Sequence, residues 1–130
     1  MNLQSPKVTV DKPAQYIFDA LSDVKNFAKL MPDNIAKFEV TSDESFIFAL
    51  KGMPEIKLKI KDRQAPNKLI LGAASDKLPF ILTGDINEVA ANSSEVQLHF
   101  DGEFNAMMAM MIKGPITKFI ETLAGNMHKL

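Results

Sequence analysis

Residues 8–32, VTVDKPAQYIFDALSDVKNFAKLMP, hold the pattern that decides the fold. They pass from an extended start through two short helical segments to a proline stop. Val8, Thr9 and Val10 suit a pleated strand, and with the residues before them they predict one strand over 2–10, which Pro6 confines to a sheet edge or a bulge. Asp11 is expected as a helix N-cap with Pro13 in the first turn, because a carboxylate accepts from free N–H groups and proline has none to lose. Ala14, Ile17, Phe18 and Leu21 then recur at helical spacing. Ser22 and Asp23 can cap a second short helix over 24–31, which Pro32 stops.

Beyond this opening the chain alternates strands and turns. Segment 34–42 reads as a strand around Phe38 and Val40, and Asp43, Glu44 and Ser45 as a turn. Phe46, Phe48 and Leu50 alternate with Ile47, Ala49 and Lys51 before a turn at Gly52, Met53 and Pro54. In EIKLKIK (55–61), Ile56, Leu58 and Ile60 share one face and Lys57, Lys59 and Lys61 the other. Pro66–Asn67 turns the chain into a strand at 68–75, Asp76–Lys77 into 78–89, and Asn92, Ser93 and Ser94 into 95–104, where Val96, Leu98 and Phe100 share a face. Seven strands with short polar turns imply an antiparallel meander, buried on one side and wet on the other.

The end of the chain is helical. At about 100° per residue, Met108, Ile112, Ile116, Phe119, Ile120, Leu123, Met127 and Leu130 fall within an arc of about 120°, opposite Lys113, Thr117, Lys118 and Glu121. Such a stripe has to lie on the inner face of the sheet. Met107, Met110 and Met111 fall off it. Pro115, after Gly114, fits better as the first residue of a new helix, so 105–113 is expected as a separate turn or kinked segment. Methionine is flexible and polarizable. The segment reads either as gap-filling core in an irregular stretch or as a gate over a cavity mouth or a docking surface for a partner or membrane, with Met107, Met110 and Met111 marking where the fold would meet a ligand or partner.

Composition narrows the chemistry. The chain has 130 residues, read as a single domain over 1–130, with 15 basic and 16 acidic side chains and no cysteine. No thiol catalysis, cysteine-ligated zinc or disulfide is open to it. The net charge of −1 opposes a general nucleic-acid partner. No apolar run reaches the roughly 18 residues of a membrane span, and the start lacks a signal-peptide core, so a cytoplasmic address is expected. The only histidines, His99 and His128, form no metal-ligand pattern, and no glycine-rich phosphate loop is present, so no metal and no cofactor are expected. On the strand register His99 faces outward with Thr83, Asp85, Asn87, Gln97 and Asp101, and no residue is assigned as catalytic. His128 suits a helix-end cation site, and Tyr16 a partly exposed helix margin. Lys51, Lys57, Lys59, Lys61 and Arg63 read as a solvated outer face, with an anion-binding surface as the alternative.

The order strand, two short helices, about six strands and a long helix resembles the helix-grip fold of the START-like (SRPBCC) superfamily. Segment 8–32 is similar to that family's opening, and MIKGPITKFIETLAGNM (111–127) to its C-terminal grip helix. The group includes the birch-pollen-allergen type, polyketide cyclase-like proteins, a carbon monoxide dehydrogenase-associated type, coenzyme Q-binding proteins and the C-terminal domain of the heat-shock-protein ATPase activator. The resemblance implies an α+β fold, a curved antiparallel sheet of six or seven strands wrapped around the C-terminal helix, with an apolar cavity between them. Its walls would be Phe38, Phe48, Leu58, Leu71, Phe80, Leu82, Leu98, Phe100, Ile112, Ile116, Phe119 and Ile120, with Met107, Met108 and Met111 added from the methionine segment. The expected function is non-enzymatic binding or carriage of a small hydrophobic ligand, such as a lipid, isoprenoid or aromatic polyketide. A protein-interaction or co-chaperone-like module, docking through the sheet face or the methionine-rich segment, is the alternative, with a filled core and an exposed methionine patch. A cyclase- or dehydratase-like enzyme is the third, and it would need convergent polar groups inside the cavity.

Overall fold

Alternating apolar residues along the middle of the chain close into one antiparallel sheet, described by a computed structural model over residues 1–53, 55–73 and 80–130. The elements are β1 (Asn2–Gln4), β2 (Val8–Val10), α1 (Ala14–Ser22), a 3-10 turn (Val24–Leu30), β3 (Ile35–Ser42), β4 (Ser45–Leu50), β5 (Ile56–Gln64), β6 (Lys68–Ala73), β7 (Phe80–Ala90), β8 (Ser93–Gly102), α2 (Ala106–Gly125) and a closing 3-10 turn (Met127–Lys129). The sheet runs β1-β8-β7-β6-β5-β4-β3, with β2 also on β8. The expected α+β helix-grip architecture is present. The turn expected at Asp76–Lys77 and the Pro54 end of the turn at 52–54 lie outside the described residues.

The expected single strand over 2–10 is two strands. Pro6 has no N–H for the ladder, and Ser5 fills the break. Its N–H donates to the Leu98 carbonyl at 2.9 Å, and its Oγ accepts from the Leu98 N–H at 2.9 Å. Asp11 does not cap α1 either. The helix starts at Ala14 with Pro13 in the cap position, and the Ala14 N–H donates to Glu88 Oε1 of β7 at 3.2 Å. Proline offers no side-chain acceptor, so a carboxylate from the sheet takes that role. Asp23 does cap as expected, accepting from the Lys25 N–H at 3.1 Å to start the 3-10 turn. Ser45 and Ser93, expected in turns, begin strands β4 and β8.

The C-terminal region differs most from expectation. Residues 106–113 are not a separate segment: α2 is continuous through Pro115, capped by Asn105, whose Oδ1 accepts from the Met108 N–H at 2.8 Å. Pro115 removes one bond, to the carbonyl of Met111, and Met111 lies on the exposed side. Ile112 and Ile116, buried on either side of the proline, hold the two halves in line. Each such burial contributes roughly 1.5–3 kcal/mol, comparable with the cost of an interior proline. The helix ends at Gly125 rather than continuing to Leu130, and Asn126 ties its end to the first half of the chain by donating Nδ2–H to the Leu30 carbonyl at 3.0 Å. Met127 remains buried in the closing turn.

The strand alternation lies as read. Phe46, Phe48, Leu58, Ile60, Leu82, Ile86, Val96, Leu98 and Phe100 are buried together with Ile112, Ile116, Phe119, Ile120 and Leu123 of α2. Phe27 stacks on Phe46 at 4.9 Å, and Phe48 on Phe119 at 4.6 Å with rings 3° from parallel. The cross-sheet cap gives a direct check. Glu88→Ala should lower stability in urea unfolding by about 0.5–1 kcal/mol, whereas Asp11→Ala should stay within about 0.5 kcal/mol of the parent. Equal losses would contradict the assignment.

Candidate functional site: the sheet–helix interior and its cleft

Where β4, β5, β7 and β8 face α2, the packing leaves two voids of about 10 Å³ each. Among the described residues the first is lined by Phe48, Leu58, Phe80, Leu82, Phe100, Ile116, Phe119 and Ile120. The second is lined by Met53, Ile56, Phe80, Phe100, Phe104, Ile112 and Ile116. Volumes of this size hold at most about one water, and these walls offer it no polar partner. The fold thus brings together most of the residues expected to wall a cavity, but packs them nearly closed. Phe80 on Phe100 (4.8 Å) and Phe48 on Phe119 fill the middle.

The remaining expected residues fall elsewhere. Leu71 and Leu98 are buried, and Phe38 is half-buried with its ring 5.3 Å from Phe46, but none of the three is on a void wall. Met108 packs half-buried against the core, and Met107 is 75% exposed. Met110 and Met111 are exposed as well, at 83% and 65%, so the off-stripe methionines form a bare surface on the first half of α2. Two wall residues went unread in the sequence, Met53 and Phe104. Phe104 continues the period-two series of Val96, Leu98 and Phe100 beyond β8. It folds back because Gly102 has no side chain: a Cβ there would run into the Phe104 ring.

Beside the voids lies an open cleft of about 970 Å³ that sequence reasoning did not foresee. Its walls are Pro32, Asp33 and Asn34 after the first 3-10 turn, Leu50 to Met53 at the end of β4, and Met111, Gly114, Pro115, Lys118, Phe119 and Thr122 of α2. Sequence spacing could not show it, because its three sides are far apart in the chain. The Leu50–Met53 turn is closed by the Met53 N–H donating to the Leu50 carbonyl at 3.0 Å, with Gly52 at φ 81° in the position that favours glycine. The Lys51 N–H donates to the Asn34 carbonyl at 3.0 Å and joins two of the walls. Gly114 widens the third, since a side chain there would meet nothing within 4 Å. Phe119 belongs to both the cleft and the first void, and Met53 to both the cleft and the second. These two side chains are the partition between outside and inside.

Polar groups lie away from the voids. Ser5, Ser45 and Ser94 are the buried polar side chains among the described residues, and all are hydrogen-bonded. His99 is on the outer face as read, with Nε2 3.0 Å from Asp85 Oδ2, and Lys68 lies 3.6 Å from the same carboxylate. His128 Nδ1 sits 2.9 Å from the Gly125 carbonyl at the end of α2. Lys57, Lys59 and Lys61 are exposed on the outer sheet face. On β3, Lys37 is raised above the usual lysine range by its hydrogen bond and charge attraction to Glu55, with a smaller contribution from Glu39. Among the described residues no group of His, Asp and Glu side chains gathers as a metal site. No helix among them is long and apolar enough to cross a membrane.

If Phe119 is the partition, removing its ring should join void to cleft. Phe119→Ala should cost about 3–5 kcal/mol and, unlike the parent, should be stabilised against heat by added benzene or indole. A variant that loses stability yet gains nothing from either compound would place the ring elsewhere in the packing.

No protein-family model matches the chain, and no curated protein matches its sequence. Solved structures match it in shape over nearly its whole length. A norcoclaurine synthase point mutant from Thalictrum flavum, in complex with a transition-state analogue, aligns at a TM-score of 0.75 and 12% identity over 99% of this chain and 92% of its own. A START superfamily protein from Mycobacterium smegmatis aligns at 0.72 and 14% identity, over 98% and 94%. The di-domain ARO/CYC protein BexL of the BE-7585A biosynthetic pathway aligns at 0.66 and 12% identity, over 97% of this chain and 46% of that one. At these identities the likeness is one of architecture, and it agrees with the strand order and grip helix: the chain has a helix-grip fold, similar to that of the START superfamily protein.

Proposed function

We propose that the protein binds and carries a small apolar ligand, without performing chemistry on it, in the space between the sheet and α2. The observation that carries this reading is the sharing of Met53 and Phe119 between the open cleft and the closed voids. A ligand seated in the cleft needs only these two side chains to turn aside before it meets an apolar interior. Burial of its surface, at roughly 25 cal/mol per Å², supplies the driving force. The first half of α2 is the cheaper wall to move. Between Ala106 and Lys118 it buries only Ile112 and Ile116, and Pro115 has already removed one of its backbone bonds. Its methionines can repack around ligands of different shape. A neighbour of this fold supports small-molecule binding: norcoclaurine synthase from Thalictrum flavum is found in complex with dopamine and hydroxybenzaldehyde. The apolar void walls support carriage over catalysis, since no described polar side chain reaches them.

A second reading, docking onto a protein partner, is favoured by the small voids together with bare Met107, Met110 and Met111. Native mass spectrometry separates the two. A carrier should copurify with an apolar molecule removable by organic extraction, or bind added farnesol or 1-naphthol one-to-one. A bare chain in every case would contradict carriage and leave the docking reading.

A further inference from the structure

We infer that the ligand is an amphipathic acid, with a carboxylate held at the cleft mouth between Lys51 and Lys118 and an apolar tail directed inward past Met53 and Phe119. This deepens the ligand-binding reading above and rests on it. Lys51 stands on the turn after β4 and Lys118 on α2, so the two cations line the same cleft from different walls. Neither forms an ion pair among the described residues, whereas Lys37, Arg63 and Lys68 each do. Asp33 is the one carboxylate among the described lining residues, so the walls carry a surplus of one positive charge, and Asn34 and Thr122 add neutral donors. From Ala106 to Ile120 α2 carries Lys113 and Lys118 and no acidic residue.

The arrangement is graded. Charge sits at the exposed rim, while Leu50 and Phe119 below it are buried and apolar. Long lysine stems lie well over such a floor and keep their ammonium groups in water. A neutral apolar ligand would use the floor and leave both cations idle. A cationic one would be repelled by the rim. The two ammonium groups act as point charges, and with Asp33 beside them they leave one net positive charge, which a single carboxylate neutralises. The Lys51 N–H bond to Asn34 fixes the backbone beneath one cation, and the helix fixes the other, so part of the ordering cost is met before binding.

The test is displacement of the neutral fluorescent probe N-phenyl-1-naphthylamine by decanoate, 1-decanol and decylamine, which share a tail and differ in head group. Decanoate should displace the probe at a concentration roughly three- to tenfold lower than decanol, and decylamine should be the weakest, as expected for exposed ion pairs. The decanoate advantage should shrink in high salt and vanish in Lys51→Gln/Lys118→Gln, which removes both charges, leaves polar side chains and touches no core residue. Equal displacement by acid and alcohol, or an advantage that survives in the double variant, would overturn the inference while leaving apolar binding intact. A probe that neither binds nor is displaced would remove the ligand-binding reading itself, and this inference with it.

Discussion

The contact of Phe119 with Phe48 across the sheet–helix gap is the packing on which the rest depends. Their rings stack at 4.6 Å and nearly parallel, joining the second half of α2 to the middle of β4. From Phe48 the aromatic series continues through Phe46 to Phe27, so the same contact ties α2 to the first 3-10 turn. Aromatic pairs of this kind contribute about 0.5–1.5 kcal/mol beyond the area they bury. The helix is therefore held firmly in its C-terminal half and more loosely toward its start. That gradient is set by where apolar side chains fall along the helix.

The same ring closes the interior. Buried surface favours the packed state, and the described void walls behind Phe119 offer no polar partner to any group that would take its place. The cost of parting a stacked pair is offset only if the incoming ligand buries comparable area. Ligands much smaller than a phenyl ring gain little here, and ligands with polar bodies lose more than they gain.

Much of the fold was legible because its information is local. Alternation in β5, β7 and β8 placed Leu58, Leu82 and Phe100 inward and His99 outward, and the stripe through Ile112, Ile116, Phe119 and Ile120 marked the grip helix. What escaped was long-range. Glu88 caps α1 from 74 positions away, and the hydroxyl of Ser5 stands in for a ladder bond where Pro6 interrupts the strand. The continuity of α2 through Pro115 reverses a local rule, because burial of Ile112 and Ile116 against the sheet outweighs one missing backbone bond. The cleft was invisible for the same reason: Asn34, Lys51 and Lys118 meet only after the sheet has curved around the helix.

Amide hydrogen exchange along α2, with and without bound farnesol, tests most directly whether the interior opens at this helix. In the free protein the amides of residues 106–114 should exchange faster than those of 118–125, and loading should slow the first group while leaving the second unchanged. Strong and equal protection across the whole helix in both states would mean that α2 does not move, and would contradict the account.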